Sequence, residues 1–431
     1  MIYRIINSLY RKSLINKKTL YSLCIAAIWQ VAAYIVPLAT VPYLARILGA
    51  NGFGLISLGS AIAAYMLTVV DWGFMYTGTQ AAAIYRNDRT KIRELAWSVI
   101  LAKSILAVSS YIFSTIAIYI FCTDEILREI IMISDVAIFG SIINVDWLLR
   151  GTENIGSFAI TSILGRLTSL PLIYLLVHSP KDLNQAALAI AVSNQLTGAA
   201  TFWSAWRLGL IGTPVTSFFR IKSQLREGFH VFISTAIINL YTNTLPVILG
   251  ITSGALEAGI FSGADRIRRP IQSILSPISM VFYPKLAFLF ESNPTMARKL
   301  ALKVLMIQAI ISLFLSIFLF ILAGPLVTIA LGREFLKAVG VLQLLAALIF
   351  IVGLSNVLGL MIMLPCGMKR EFSWCIGAGG IVGVLAAMIL SYAYGAWGAA
   401  VAAVLAEITV TLSMLHLLSG KFDWFKLERL G

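Results

Sequence analysis

The residues of this chain with the clearest chemical potential are charged side chains inside long apolar segments. The apolar stretch 257–284 contains Asp265, Arg266, Arg268 and Arg269. In a helix, Asp265, Arg268 and Arg269 share one face and would lie roughly 12–18 Å from its start. An ionised group at mid-bilayer costs about 2.5–3.5 kcal/mol, so each one needs a reason to be there. Guanidinium groups bind oxyanions such as pyrophosphate, and this stretch therefore predicts an anion-binding position.

A second interpretation of the same stretch is purely structural. Asp265 would pair with Arg268 or Arg269 along its own helix, and the remaining charge would be neutralised by acidic residues elsewhere. Three arginines against one aspartate favour the cavity or ligand role.

Other apolar segments contain isolated charges, each with two interpretations. Arg166 forms an internal ion pair with Asp135 or Asp146, or it lines a cavity. Asp71 is a structural anchor or a gate residue. Glu407 carries a proton or cation, or it is a partner for the arginines of 257–284.

Polar residues precede a proline in the segment 228–250. Asn239, Tyr241 and Asn243 stand before Pro246. Amides and aromatic rings suit sugar hydroxyls and ring faces, so these residues could line a sugar path, whereas the structural alternative is hydrogen bonding between helices.

The remaining residue types indicate little further chemistry. Lys103 and Lys285 are expected to extend their ammonium groups to the membrane interface. The four cysteines and three histidines are scattered, and no metal site, nucleotide loop or catalytic nucleophile is expected. We therefore predict a protein that is not an enzyme and has no cofactor.

The composition defines the class of protein. Of the 431 residues, 59% are hydrophobic and 12% are charged, with a mean hydropathy of +0.90. A soluble domain carries roughly a quarter charged residues, so the chain is a polytopic membrane protein. The net charge of +14 is assigned to cytoplasmic loops facing anionic lipid, and no nucleic-acid partner is expected.

Apolar segments long enough to cross a bilayer recur along the whole chain. They predict twelve spans: 20–44, 54–75, 95–121, 129–149, 155–177, 185–206, 228–250, 257–284, 300–323, 337–364, 371–393 and 396–418. Lys and Arg concentrate on the side that holds both termini, which predicts cytoplasmic N and C termini. No signal peptide is expected.

The junction of the first two spans is the predicted centre of movement. Pro37 and Pro42 remove backbone donors, so the first helix should bend or break there. Gly49 and Gly54 permit a tight turn. Pro246 nearly coincides with Pro42 when the two halves are aligned. The second span then carries a polar stripe expected to face a cavity, formed by Ser57, Ser60, Thr68 and Asp71.

An internal repeat predicts two halves. Gly49-Ala-Asn-Gly-Phe-Gly54-Leu-Ile-Ser57 aligns with Gly254-Ala-Leu-Glu-Ala-Gly259-Ile-Phe-Ser262, an offset of 205 positions. We therefore predict an all-α fold of two six-helix bundles related by a parallel repeat. The predicted segments are a cytoplasmic N-terminal segment, a first bundle, a cytoplasmic linker, a second bundle and a tail, at 1–19, 20–206, 207–227, 228–418 and 419–431.

The motif order along the chain resembles a known family. The run from Pro37 through Pro42-Tyr-Leu-Ala-Arg46 and Gly49-Ala-Asn-Gly-Phe-Gly54 to Asp71-Trp-Gly-Phe74 resembles the opening of bacterial polysaccharide-transport proteins, and most closely O-antigen (Wzx-type) flippases. Further similarities lie at 227–234, 354–365 and 398–407. Trp72 departs mildly from the family pattern, which commonly has Tyr or Phe there.

The resemblance implies a fold and a substrate. The family belongs to the multidrug/oligosaccharidyl-lipid/polysaccharide exporter superfamily, in which two six-helix bundles enclose a cavity that opens alternately to either side. The implied substrate is an undecaprenyl-pyrophosphate-linked oligosaccharide moved between leaflets of the bacterial inner membrane. The implied partners are this lipid, the bilayer, and the polysaccharide polymerase and chain-length machinery.

Three functions are compared at this stage. A flippase would need a cationic, hydrophilic cavity, and a proton or sodium gradient would drive it through Asp71, Asp265 or Glu407, with Asp146 a further candidate for gating or ion coupling. A multidrug/cation antiporter would favour an acidic cavity, which the arginines oppose. A polysaccharide polymerase would need a long external loop, and the longest predicted outer loop is barely a dozen residues.

Overall fold

In the computed structural model, residues 17–421 are described, and every regular element in that range is helical. We number the α-helices in chain order: α1 Lys17–Asp71, α2 Phe74–Ile84, α3 Arg89–Phe121, α4 Glu125–Asp135, α5 Ala137–Ile143, α6 Asp146–Gly151, α7 Ile155–Leu167, α8 Ser169–Leu176, α9 Leu183–Arg207, α10 Phe218–Thr252, α11 Ala255–Ser273, α12 Ser276–Ser292, α13 Pro294–Ala330, α14 Ala338–Asn356 and α15 Lys369–Lys421. A 3₁₀ turn, Arg333–Phe335, precedes α14, and a π-helical segment, Val357–Met363, follows it.

Among the described residues, seven helical stretches are long and apolar enough to cross a membrane: Val36–Ile84, Arg89–Phe121, Ile155–Leu176, Ala255–Ser292, Pro294–Ala330, Ala338–Met363 and Lys369–Gly420. The first and last of them continue across a glycine break, at Gly49 and at Gly395, so each contains two helical segments. The predicted span 129–149 is divided among α4, α5 and α6. The shorter apolar stretch Asn243–Thr252, at the end of α10, overlaps the predicted seventh span.

The described chain packs as two units. Unit 1 comprises the residues up to Thr40 together with Ile62–Leu240, and unit 2 comprises Val41–Ala61 together with the residues from Tyr241 onward. Helices α1 and α10 therefore contribute residues to both units. The predicted segment boundaries, which follow the sequence repeat, stay a prediction.

The prolines of α1 do not break the helix. Helical backbone continues through Pro37 and Pro42, and the first non-helical residue is Gly49, with φ 68° and ψ 178°. A proline within a membrane helix can be accommodated by neighbouring groups, whereas a positive φ ends the regular pattern at once. The predicted glycine turn is confirmed. The helix does not break at the prolines, whereas the alternative of a bend there and the hinge role of these residues stay predictions. Pro246 likewise lies within α10.

The two halves of the sequence repeat meet inside unit 2. Gly254 has φ 85° and ψ 176°, which matches the backbone of Gly49. A β-carbon on Gly54 would overlap the carbonyl of Ala255, and one on Gly259 would overlap the carbonyl of Ala50. Because 50 and 255, and 54 and 259, are equivalent in the repeat, the two helices approach each other through a reciprocal contact. We call this contact the glycine crossing.

Unit 1 has a core formed by α2, α3, α6 and α7, with Trp147, Leu148 and Leu149 fully buried. The chain after α9 packs on the start of α3. Arg89 donates to the carbonyl of Leu208 at 2.7 Å, and Trp97 donates to that of Gly212 at 3.0 Å. These bonds hold the predicted linker against unit 1.

The loop before α3 supplies that helix with a cap. The Asp88 carboxylate accepts hydrogen bonds from the backbone amides of Lys91 and Thr90. The Lys91 amide in particular holds the pKa of Asp88 below its usual range. The start of α3, on which the linker packs, is thereby fixed locally.

Candidate functional site

Helix α11 brings the predicted anion-binding residues around one buried carboxylate. Asp265 is 7% exposed. Arg268 donates to its Oδ1 from Nε at 2.9 Å and from Nη2 at 2.6 Å, and Arg269 donates to its Oδ2 from Nε at 2.5 Å. The spacing of three and four residues places both guanidinium groups over the same turn as the carboxylate. Arg268 also donates to Oε1 of Gln272.

Arg266 lies on another side of α11. Its guanidinium carbon is 5.1 Å from the centre of the Phe53 ring, in a cation–π contact within unit 2. Phe53 in turn packs edge-on against Phe335, with ring centres 5.9 Å apart. The three arginines therefore do not act as one group, and Asp265 is bound to two of them.

A cavity of about 280 Å³ in unit 2 adjoins this cluster. Its charged lining residues are Arg268, Arg269 and Glu407, its polar ones include Thr244 and Gln272, and the remainder from α14 and α15 are apolar. One bound water needs only about 10–15 Å³, so the space admits a larger polar ligand. The cavity thus unites residues predicted for substrate binding with one predicted for ion coupling. Both interpretations of Glu407 stay open.

In unit 1, Asp71 meets a lysine from the neighbouring span. The Nζ atom of Lys103 lies 3.3 Å from Oδ1 of Asp71 and 3.4 Å from the carbonyl of Ser141. Lys103 is 3% exposed, so the prediction that it extends to the membrane interface is wrong. Burial forces an ammonium group to find a nearby anion. Sequence reasoning missed this partnership, although an acid and a base in adjacent spans were a usable signal.

Further charges of unit 1 lie around Asp146, at the start of α6. Its Oδ2 is 3.7 Å from Nη2 of Arg150, and its charge also acts on Arg166 at the end of α7. Asp135 is buried and accepts a hydrogen bond of 2.5 Å from Ser114. Both interpretations of Arg166, the internal ion pair and the cavity role, stay predictions.

The predicted sugar path lies on α10. Asn239 and Asn243 are half-buried there, and both take part in interactions. Tyr241 is helical, but its side chain lies outside the described residues. The sugar path stays a prediction.

The polar stripe of the second span is only partly paired. Thr68 donates to the carbonyl of Ala64 at 2.8 Å, and Asp71 pairs with Lys103. Ser57 is 4% exposed, and its hydroxyl has no hydrogen-bond partner among the described residues. The same holds for Ser262, its equivalent in the repeat. These two hydroxyls follow the glycine crossing directly in sequence.

Metal-binding side chains do not cluster within residues 17–421. No group of three His, Cys, Asp or Glu side chains comes together there in a way that could hold a metal ion.

Comparison with solved structures shows which known proteins share this fold. The fold is similar to the lipid II flippase MurJ in an inward closed conformation, with a TM-score of 0.73 and 14% identity, covering 93% of this chain and 89% of that one. It is also similar to an inward-facing multidrug MATE transporter of the MOP superfamily, with a TM-score of 0.64 and 16% identity over 98% of both chains. The chain therefore has the twelve-helix, two-lobe fold of these membrane transporters, as predicted.

Sequence relatives define the family. The family described as polysaccharide biosynthesis protein matches residues 20–290. An Escherichia coli (strain K12) protein whose name assigns it to O-antigen transport is 33% identical over 390 residues, covering 90% of this chain and 94% of that protein. A Shigella dysenteriae protein of the same name is 26% identical over 388 residues, covering 89% and 96%. This chain belongs to the polysaccharide biosynthesis protein family.

Proposed function

We propose that this protein moves undecaprenyl-pyrophosphate-linked oligosaccharides from the cytoplasmic to the periplasmic leaflet of the bacterial inner membrane. The product would be O-antigen or a related surface polysaccharide. The observation that carries the proposal is the cavity in unit 2, where Arg268 and Arg269 face a space large enough for a polar ligand. Two guanidinium groups on one helical turn suit a diphosphate. The names of the sequence relatives support the substrate class.

The proposed mechanism assigns each part of the substrate to a different environment. The diphosphate binds at Arg268 and Arg269, the sugars contact the polar face of α10 at Asn239, Tyr241 and Asn243, and the prenyl tail stays in lipid. Alternating access exposes this path first to the cytoplasm and then to the periplasm. In this proposal both termini lie in the cytoplasm. The proposed partners are the polysaccharide polymerase and the chain-length machinery.

The proposed energy source is a proton or sodium gradient. Asp71, Asp146 and Glu407 are carboxylates within apolar segments, and each lies beside basic groups. Carboxylates in such positions commonly serve as ion or proton carriers in transporters.

A multidrug/cation antiporter is the second candidate, because a MATE transporter shares the fold. The lining of the cavity in unit 2 argues against it. Two arginines and one glutamate disfavour a cationic drug. A polymerase is less well supported, since the named sequence relatives are transporters.

The test exchanges the arginines for neutral residues in a strain that depends on this protein. Because Asp265 is bound to both arginines, the double variant R268Q/R269Q would leave a buried carboxylate alone, which is costly. The triple variant D265N/R268Q/R269Q removes that penalty and separates binding from folding. We expect both variants to lose surface polysaccharide, the triple variant at a normal level of membrane protein.

The matched control is Arg333→Gln, an exposed arginine of unit 2 in the 3₁₀ turn. It should leave surface polysaccharide unchanged. Normal polysaccharide in the triple variant would contradict the proposed diphosphate site, and Arg166 would become the next candidate.

A further inference from the structure

A second cavity, of about 140 Å³, lies in unit 1 and has no part in the function proposed above. Its lining comes from the end of α2 and from the starts of α3 and α10. We call it the linker pocket, because the start of α10 belongs to the predicted linker 207–227. One bound water needs only about 10–15 Å³, so the pocket admits a group of several non-hydrogen atoms. Its charged and amide-bearing lining residues are Lys91, Glu94, Arg220, Gln224 and Glu227.

Two helical stripes form the polar walls of the linker pocket. Positions 91, 94, 95 and 98 of α3, and positions 220, 223, 224 and 227 of α10, each follow the i, i+3, i+4, i+7 spacing of one helix face. The Nε atom of Arg220 is 3.0 Å from Oε1 of Glu94. Further along α3, the hydroxyl of Ser98 is 2.6 Å from that of Thr216, which precedes α10. The two stripes therefore run antiparallel, with the pocket between them.

The charges that line the linker pocket sum to zero. Two basic side chains, Lys91 and Arg220, stand against two acidic ones, Glu94 and Glu227. Both basic side chains are more than half exposed, and a guanidinium group has five N–H donors, so Arg220 can serve Glu94 and an anion together. A lining that carries both signs complements a ligand that also carries both, and it disfavours a ligand of one sign.

The acidic side of the pocket has further capacity to accept hydrogen bonds. Glu227 accepts one, of 2.8 Å, from the hydroxyl of Ser223, and an ionised carboxylate has about four lone-pair sites. The Oε1 atom of Gln224 is buried and has no hydrogen-bond partner among the described residues. Glu94 differs, because Arg220 already pairs with it. Glu227 and Gln224 therefore favour a ligand group with several N–H donors, such as a primary ammonium.

Apolar side chains beside the linker pocket indicate that a membrane surface is near. Ile84, directly before the lining residue Tyr85, is 70% exposed. Phe218 and Phe219, directly before Arg220, are each 78% exposed. Exposed apolar side chains next to basic ones are typical of helices that lie at the headgroup level of a bilayer. A lipid headgroup can therefore enter the pocket while its acyl chains cover these apolar side chains.

We propose that the linker pocket binds the headgroup of a zwitterionic phospholipid of the ethanolamine type. The ammonium group lies at Glu227 and Gln224, and the phosphate lies at Lys91 and Arg220 in charge-assisted hydrogen bonds. The bound lipid joins the start of α3 to the start of α10 and adds to the ion pair between Arg220 and Glu94. No bond is made or broken, and the inference does not depend on which substrate the protein transports.

The experiment measures the binding of single lipids to the full-length protein in detergent by native mass spectrometry. The lipids have identical acyl chains and differ in headgroup: phosphatidylethanolamine, its N-methyl and N,N-dimethyl derivatives, phosphatidylcholine and phosphatidylglycerol. The ethanolamine and choline lipids have the same net charge, but the choline headgroup has no N–H donor. The proteins are wild type, Glu227→Ala and the matched control Glu291→Ala, which changes an exposed glutamate at the end of α12.

Wild type should bind phosphatidylethanolamine about tenfold more tightly than phosphatidylcholine, the ratio expected for one hydrogen bond to a charged group. The two partly methylated lipids should lie between them. Glu227→Ala should lose this preference, and it should bind phosphatidylglycerol more tightly than wild type does, because a like charge is removed. Glu291→Ala should keep the wild-type order of affinities.

Equal affinity of wild type for phosphatidylethanolamine and phosphatidylcholine would overturn the inference, and this comparison needs no variant. Tighter binding of phosphatidylglycerol than of phosphatidylethanolamine by wild type would also overturn it. Full retention of the ethanolamine preference in Glu227→Ala would place the lipid elsewhere on the protein. Displacement of the lipid by an equal concentration of free phosphoethanolamine would show that the ligand is a soluble zwitterion, which contradicts a lipid site.

Discussion

At the scale of single residues, two buried polar side chains are the most informative, one in the third predicted span of each half. Lys103 on α3 is 3% exposed and paired with Asp71, whereas Gln308 on α13, 205 positions later, is 0% exposed. Neither polar atom of the Gln308 amide has a hydrogen-bond partner among the described residues. An unsatisfied buried amide costs about 1–3 kcal/mol. One position of the repeat is therefore stabilised by an ion pair, whereas its equivalent is destabilised by its missing hydrogen bonds.

The Asp71–Lys103 pair should respond unequally to removal of its two members. The side chain of Lys103 is 4% exposed and that of Asp71 is 39% exposed. Asp71→Asn leaves a buried ammonium group without its partner and should cost about 1–3 kcal/mol of stability. Lys103→Met leaves a carboxylate that is partly solvated and should cost less.

Thermal unfolding of the purified protein in detergent would measure both changes, and the double variant D71N/K103M would complete a double-mutant cycle. The double variant should be more stable than Asp71→Asn alone. A larger loss for Lys103→Met than for Asp71→Asn would show that the pair does not have the described burial.

At the scale of helices, two contacts between helices are specific to residue type: the glycine crossing and the contacts of Trp72. The glycine crossing allows two helix backbones to touch, as small residues do in membrane helix packing. Trp72 donates from Nε1 to the carbonyl of Leu225 at 2.8 Å and stacks on Phe232 with ring centres 4.3 Å apart. Phenylalanine, one of the residues common there in the family that this sequence resembles, could stack but could not donate this hydrogen bond.

The glycine crossing should not tolerate even a methyl group. In Gly54→Ala or Gly259→Ala the new β-carbon would overlap a backbone carbonyl, which cannot move as a side-chain tip can. Overpacking of this kind typically costs about 1–3 kcal/mol. We expect lower thermal stability and less folded protein in the membrane for each variant.

Gly377→Ala is the control for the crossing. It lies in a helix of the same unit, and a β-carbon there would meet nothing within 4 Å. It should therefore be neutral or slightly stabilising, because alanine has the higher helix propensity. Equal effects of Gly54→Ala and Gly377→Ala would contradict the close backbone approach.

At the scale of the whole molecule, the first helix links the two units. Helix α1 contributes to unit 1 up to Thr40, to unit 2 over Val41–Ala61 and to unit 1 again from Ile62.

The distribution of charge predicts which loops face which side of the membrane. Basic residues favour the cytoplasmic side of a membrane protein. The loops rich in Lys and Arg are therefore the proposed cytoplasmic ones.

Accessibility of engineered cysteines should confirm this orientation. In a variant whose four native cysteines are replaced by serine, Lys181→Cys should react with a membrane-impermeant maleimide in spheroplasts. Lys222→Cys should react only after the membrane is permeabilised. Both native residues are exposed, so burial does not limit the reaction. The reverse labelling pattern would place the termini outside.

Local properties of the sequence were sufficient for much of the fold and for part of the site. The apolar segments predicted the membrane class, and the repeated glycines predicted the turn observed at Gly49 and matched at Gly254. The spacing of Asp265, Arg268 and Arg269 anticipated their pairing, because residues three and four apart meet on any α-helix. These conclusions depend on short-range geometry, which the order of residues determines by itself.

Only the tertiary structure decided which distant residues meet. The pairing of Asp71 with Lys103, the approach of Gly54 to Ala255 and the position of Glu407 at the cavity of Arg268 all join different helices. Such contacts depend on how helices are rotated and packed against one another, which the hydropathy of the sequence does not determine. The continuity of the helix through Pro37 and Pro42 also depends on tertiary structure. Neighbouring helices, and not the proline alone, determine whether a membrane helix breaks.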